Sequence, residues 1–329
     1  MRVTSLKSPL VYSTLEFQGS VAPATAEQPE FGGRTLVVAT DGSHESRAAT
    51  AVASVIGRRH GARTVALRAY DYSSRRDRAE TIVAPWGRTY DVLDIARHLL
   101  CAELRRDIGE AGTWNVRAVA GRPAHAIAAE ARALDAALVI MGLRRPRHGF
   151  DAPPHDTVMQ VIRESTVPVL VTTGALAGAP KRILVGVDFG LESVRVARAA
   201  LSVIDDDGEI VLANVQGGSQ SRGMRRHASA AGDESAASLL ERLRRALPTW
   251  PNTTLEVLHE REDVATTLLA AARRLRADCI AVGTHPRVLD DSARLGEVAS
   301  ALVKSGMRSL LVVPSVHRRA AAVYTGHGN

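Results

Sequence analysis

The sequence predicts an α/β protein built from two tandem doubly wound domains, and three observations carry that expectation. A short apolar, β-branched run ending in Asp occurs twice, in LVVATDGSHES (residues 36–46) and LVGVDFGLES (residues 184–193), with Glu four and Ser five residues after each Asp. Such a run is a strand buried on both faces, and the Asp opens a turn that leads into a helix. The two copies stand about 147 residues apart, by the difference between Asp188 and Asp41, which is the length of an ordinary domain and points to duplication. Around each copy strand and helix patterns alternate strictly, which implies right-handed crossovers and a parallel sheet.

In the first half the pattern predicts strand 35–40, an Ala-rich helix over 43–60 ended by Gly61, strand 63–69, a polar loop over 71–86, helix 88–110 and strand 115–119. A Gly just past the last periodic residue is the usual helix terminator. After Gly121-Arg122-Pro123 a helix runs to 133, with Pro early enough that its missing N–H costs little. Strand 137–141, a basic loop 143–155, helix 156–164 and strand 168–172 complete the half. Residues 174–180 (GALAGAP) read as a linker. The order then repeats as strand 182–187, helix 191–203, strand 209–214, loop 216–233, helix 234–246, strand 254–259, helix 262–276, strand 278–282, loop 283–295, helix 296–305 and strand 309–313. The domains are therefore 34–173 and 181–314, each with five strands. Residues 1–33, mixed Ser, Thr, Pro, Gln and Gly, read as a flexible arm with an apolar patch at 10–17, and 315–329 read as a disordered tail.

Composition narrows the function classes. The 329 residues are 45% hydrophobic but only 4% aromatic, so the cores are Ala, Val, Leu and Ile, and base-stacking platforms are scarce. The net charge of +7 comes almost wholly from Arg, with Lys only at 7, 181 and 304, a bias that a GC-rich coding genome also produces. The Arg residues are interleaved with acids along the predicted helices, the pattern of solvated faces rather than of a nucleic-acid or membrane patch. Cys101 and Cys279 have no CxxC or His-rich surroundings and read as small buried hydrophobes in a reducing compartment. No stretch approaches the roughly 20 apolar residues of a membrane span, and the N-terminus lacks a basic region followed by an apolar core. The expectation is a cytoplasmic protein.

The ordered set of segments resembles the universal stress protein family, present twice in tandem. The resemblance rests on Val-Ala-Thr-Asp41-Gly-Ser and Val-Gly-Val-Asp188-Phe-Gly, on Gly121-Arg-Pro-Ala-His-Ala-Ile, and on Val-Ile-Met-Gly142 and Ala-Val-Gly283-Thr-His. The closing stretches Ser165-Thr-Val-Pro-Val-Leu-Val and Met307-Arg-Ser-Leu-Leu-Val-Val complete it. It covers about 34–173 and 181–314. The resemblance implies five-stranded parallel sheets of order 3-2-1-4-5 with helices on both faces. It also implies an internal pseudo-dimer of the two halves, open to further homodimerisation, and a regulatory role in stress response. It further implies ATP binding, with Mg2+ only as the companion of ATP, through a loop of the form Gly-x2-Gly-x9-Gly-Ser/Thr after the fourth strand. Small residues there admit backbone N–H groups to the phosphates, and a helix amino end adds positive potential.

Both copies of that loop are degenerate. In the first, Gly142 is present, Arg145 stands in place of the second Gly, and Asp156-Thr157 replaces Gly-Ser/Thr after one extra residue. In the second, Gly283 and Gly296 are kept, Pro286 replaces a Gly and Glu297 replaces Ser/Thr. Asp156 and Glu297 each put a carboxylate in the first turn of a predicted helix, where it suits the orphan N–H groups and the dipole. A carboxylate about 4 Å from a phosphate oxygen repels it by up to about 4 kcal/mol at an effective dielectric of 20. In the first half Arg144, Arg145, Arg147 and His148 offer either a substitute phosphate clamp or a plain basic surface.

The first half is therefore the favoured nucleotide site. Asp41 meets the adenosine part, Gly142 allows close approach, Arg145 clamps phosphate, and Thr157 with Val158 meets phosphate at the helix start. Asp188, Gly283 and Gly296 are the candidates in the second half. Asp at a strand end is also a common turn former. No catalytic residue is assigned: no HExxH or paired metal spacing occurs, and Ser43 and Ser46 lack an activating pair and read as capping residues. The leading expectation is a non-enzymatic regulator that binds adenine nucleotide or a protein partner. The alternative is a slow ATP hydrolase using the Arg-rich loop.

Overall fold

The computed structural model describes residues 13–17, 34–71, 81–83, 89–109, 114–143, 156–188, 191–216, 252–259, 263–284 and 296–315. The chain divides into two compact units: residues 29–179, and residues 180–287 with 296–317 and the N-terminal stretch. The first strand in the chain, β1 (Ser13–Phe17), belongs to the second of these.

The first unit comprises β2 (Thr35–Ala39), α1 (His44–His60), β3 (Arg63–Tyr70), β4 (Thr81–Val83), β5 (Thr89–Asp91), α2 (Val92–Ile108), β6 (Asn115–Ala120), α3 (Pro123–Ala133), β7 (Ala136–Gly142), α4 (Asp156–Glu164) and β8 (Val169–Thr172). Five of its strands form a parallel sheet in the order β6-β3-β2-β7-β8. The central strands are buried along nearly their whole length and apolar except for Thr35 at the start of β2, because helices cover both faces. Leu36, Val37, Val38, Leu138, Val139 and Ile140 all have 0% exposure, while α1 packs against α2 and α3 against α4. Burial of this kind is the main favourable term holding the unit together.

The second unit repeats the plan with β9 (Arg182–Gly186), α5 (Leu191–Val203), β10 (Glu209–Gln216), β11 (Asn252–His259), α6 (Val264–Arg274), β12 (Cys279–Gly283), α7 (Glu297–Ser305) and β13 (Ser309–Val313). The parallel order is β11-β10-β9-β12-β13. The duplication reaches individual backbone angles. Asp135 after α3 and Arg276 after α6 hold equivalent places, and both adopt the left-handed conformation, φ 45° and 54°.

Three stretches differ from their sequence reading. The helix expected from 88 starts at Val92, because the Asp91 carboxylate accepts the Leu93 N–H at 2.7 Å and caps it. Thr89–Asp91 instead pairs antiparallel with Thr81–Val83, so the loop expected over 71–86 contains a strand. Inside the arm, β1 runs antiparallel along β11 with Leu15 opposite Leu255. The linker is pinned at both ends: the Leu176 N–H donates to the Thr173 carbonyl and the Asp205 N–H to the Pro180 carbonyl, and Leu176 and Ala179 are buried. The loops 143–155, 216–233 and 283–295 lie largely, helix 234–246 wholly, and the tail beyond 315 wholly outside the described residues.

Candidate functional site

In a doubly wound sheet the ligand crevice lies at the carboxyl ends of the strands, where the order reverses. In the first unit that point lies between β2 and β7, and the segment leaving β2 is Thr40-Asp41-Gly42-Ser43. A chain of hydrogen bonds fixes this turn. The Ser43 N–H donates to Asp41 Oδ1 at 2.9 Å, the Gly42 N–H to Thr40 Oγ1 at 3.2 Å, and the Thr40 hydroxyl to Ser46 Oγ at 3.0 Å. Ser43 is the N-cap of α1, accepting the Ser46 N–H at 3.2 Å. Desolvation at the turn works against the Asp41 charge, but hydrogen bonds from the Ser43 hydroxyl and amide and from the Ser46 hydroxyl outweigh it. The carboxyl is therefore held below the usual carboxylate range. Asp41 is exposed, so the turn presents a fixed anion at the strand end.

The second unit builds the same turn with other bonds. The Ser193 hydroxyl donates to Asp188 Oδ1 at 2.7 Å, and the Asp188 N–H donates back to Ser193 Oγ at 3.0 Å.

In both units a polar residue from the neighbouring strand, unremarked in the sequence reading, holds the residue before the Asp. Arg68 Nε on β3 donates to the Thr40 carbonyl at 3.2 Å, while its terminal nitrogens grip Glu103 of α2 in a bidentate pair at 3.2 and 2.5 Å. Burial lowers the Arg68 proton affinity, but the bond to Glu103 more than compensates, so the guanidinium stays charged. At the equivalent place on β10, Asn214 Nδ2 donates to the Val187 carbonyl at 2.8 Å. The signal was in the sequence: one polar residue inside each of two apolar runs, TVALRAY and EIVLANVQ, requires a partner.

The glycines separate the two units. A Cβ on Gly142 would lie 2.5 Å from the Glu45 carbonyl carbon and 2.6 Å from the Ser46 nitrogen. Gly142 is thus required by the first turn of α1 passing over the end of β7, and the room it leaves is already filled. A Cβ on Gly283 would meet only the Val196 Cγ2 methyl at 3.3 Å and the Val313 carbonyl oxygen at 3.9 Å. Because α7 follows β12 and leads back into the parallel strand β13, its amino end lies at the carboxyl end of the sheet. Gly296 is the N-cap there and supplies no side-chain hydrogen bond, and Glu297 occupies the first turn. In the first unit Thr157 is half-buried and Val158 is buried in the core, which leaves Val158 only its backbone to offer a ligand. Arg145 lies outside the described residues.

His125 is exposed on α3, with Nδ1 3.3 Å from Glu164 of α4. Cys279 is buried, and burial pushes its thiol up to about 12; Cys101 is half-buried. Among the described residues no group of three or more His, Cys, Asp or Glu could hold a metal ion. No described helix is long and apolar enough to cross a membrane.

Two doubly wound units, each with a structured Asp turn at the switch point, define a tandem doubly wound α/β protein by fold. The model of the universal stress protein family matches residues 33–173 and again 180–314, and the chain belongs to that family. Among solved structures it is similar to a functionally unknown protein from Pseudomonas aeruginosa, at 18% identity and TM-score 0.59, covering 89% of this chain and 96% of that one. It is also similar to a universal stress protein from Archaeoglobus fulgidus, at 17% identity and TM-score 0.57, covering 86% of this chain and 99% of the other. A universal stress protein in complex with cAMP aligns with 44% of this chain and 98% of its own, at 19% identity and TM-score 0.30. No curated protein matches the chain.

Proposed function

We propose that the protein is a regulatory universal stress protein that takes an adenine nucleotide at the carboxyl ends of its strands and acts through the bound state, without chemistry on the ligand. The observation that supports this reading best is the α7 amino end. Its N-cap, Gly296, adds no side-chain bond, and it stands at the same end of the sheet as Gly283 and Asp188. The first N–H groups of a helix have no intrahelical acceptor and carry the positive end of its dipole, which suits phosphate. Asp188 serves the adenosine part, and Mg2+ enters only with the phosphates, where it also offsets the Glu297 charge. The described geometry favours this unit over the first, in which the space beside Gly142 is taken by α1.

The test is calorimetric titration of nucleotide-stripped protein with ATP and Mg2+, using Asp188→Ala, Glu297→Gln, Asp41→Ala and Arg145→Ala. The expected result is binding lost in Asp188→Ala, tightened in Glu297→Gln and kept in the other two. Loss in Asp41→Ala or Arg145→Ala instead moves the site to the first unit. No heat at millimolar ATP overturns the nucleotide reading, and Mg2+-dependent phosphate release lost in Asp41→Ala overturns the non-enzymatic one.

A further inference from the structure

The third strands of the two sheets end at outer edges that the chain treats differently. In the first unit β6 is six residues long and carries Arg117, whose side chain is 41% exposed and ion-paired with Glu130 of α3. No other strand pairs with its outer edge among the described residues. A charged residue within a short edge strand is a standard protection against pairing with another chain. β11, its counterpart, is eight residues long and reads Asn-Thr-Thr-Leu-Glu-Val-Leu-His; it carries one charge, Glu256, and no Pro or Gly, so its edge is two residues longer than that of β6 for the same number of charges. A longer edge strand presents a longer row of unpaired N–H and C=O groups, the template on which a strand from another chain can pair. It is this edge that β1 covers, with Ser13–Phe17 running antiparallel along Thr253–Val257.

We propose that β1 is a guard strand: by occupying the outer edge of β11 it blocks antiparallel β11–β11 pairing between two copies of this chain, and its displacement permits that self-association. The second copy is the fitting occupant. The edge already accepts an antiparallel partner, and pairing with its own copy about a two-fold axis uses the same row of N–H and C=O groups on both sides. The ladder that keeps the guard in place spans only five residues, and ordering the arm costs chain entropy. A ligand or partner that captures the arm would therefore convert the protein from one assembly state to another.

The test is made on the full chain with Thr14→Pro and Leu15→Pro together. Successive residues in a strand send their N–H groups to opposite sides, so the pair removes a donor toward β11 whichever of the two provides it. Light scattering after size exclusion is read over a wide range of concentration. The expected result is a concentration-dependent rise to at least about twice the wild-type mass, reversed by adding Thr254→Lys to the β11 edge. A double-Pro variant that keeps the wild-type mass throughout overturns the proposal, as does association that Thr254→Lys leaves unchanged. Should the Pro variant not fold, Leu15→Cys with Leu255→Cys gives an independent answer, because opposed residues in an antiparallel pair are close enough for a disulfide. Oxidation yields a cross-link within one chain if β1 guards its own sheet. A cross-link between chains, or none, overturns the proposal.

Discussion

Gly142→Ala places a methyl group where the backbone of α1 already lies. Its Cβ would stand 2.5 Å from the Glu45 carbonyl carbon and 2.6 Å from both the Glu45 oxygen and the Ser46 nitrogen. Carbon atoms in good contact are about 3.5–4.0 Å apart, so the start of α1 must retreat by about 1 Å. That retreat pulls on the Thr40–Ser46 bond and on Ala49, Val52, Ala53 and Ile56, all at 0% exposure beneath the helix. Overpacking costs about 1–3 kcal/mol, and with backbone as the obstacle the upper end applies: about 3 kcal/mol, or about 6–12 °C in Tm. Gly283→Ala is the internal control, since the Val196 methyl 3.3 Å away needs to give only a few tenths of an ångström, at a cost under about 1 kcal/mol. Two units need not unfold together, so native-state hydrogen exchange is the suitable assay, comparing amides of β2 and β7 with those of β9 and β12. If Gly142→Ala costs no more than Gly283→Ala, the close approach of α1 does not explain this glycine. A ligand would then have to.

Three further outcomes follow from named contacts. Asn214→Ala leaves the Val187 carbonyl, in a residue 6% exposed, without its side-chain donor; the expected loss is about 1–3 kcal/mol by urea denaturation of the second unit. Arg276→Gly relieves a left-handed residue, φ 54°, whose N–H still closes α6 on the Arg273 carbonyl at 3.2 Å. Thermal unfolding is expected to be unchanged or to show a gain of up to about 1 kcal/mol, the glycine's extra freedom in the unfolded chain offsetting part of the relief. Asp41 is held below its ordinary value in the folded state, so its contribution to stability is present above the unfolded pKa and is lost as pH falls through the folded one. A carboxyl-detected NMR titration is expected to place its midpoint below that of an unfolded Asp, and Ser43→Ala to move it up.

What the sequence could disclose depended on how far apart the interacting residues lie. β2 and β9 were legible because a parallel strand covered on both faces needs an unbroken apolar run, and Gly61 marked the end of α1, where it takes φ 58°. The start of α2 was misplaced because the Thr89-Tyr90 stretch suits a strand as well as a helix, and its pairing with Thr81–Val83 decides the matter. β1 carried only the apolar patch at 10–17 as a local signal, which does not say where the segment docks, because its partner, β11, lies more than two hundred residues away. Gly142 shows the same limit at the site. In sequence it matched a phosphate loop, while the atoms that require a glycine there come from Glu45 and Ser46, nearly a hundred residues earlier.

The two strand-end aspartates bear most directly on the proposed function, and a turn former could explain them without any ligand. In α1 the N-cap is Ser43, and Asp41 lies outside the helix, accepting the Ser43 N–H at 2.9 Å as a turn-forming side chain. That bond needs an oxygen but not a charge. Asp41→Asn keeps a carbonyl oxygen for it and removes only the anion, so it is expected to cost less than about 1 kcal/mol at pH 7. Asp188 differs, because the Ser193 hydroxyl donates to it while Ser193 Oγ also receives the Asp188 N–H. Asp188→Asn can still accept the Ser193 hydroxyl through its amide oxygen, and the bond from the residue 188 backbone N–H to Ser193 Oγ does not involve the substituted side chain. Each substitution therefore separates charge from turn geometry: wild-type stability with lost nucleotide binding assigns the carboxylate to the ligand. Lost stability with unchanged binding assigns it to the turn and removes that Asp from the site.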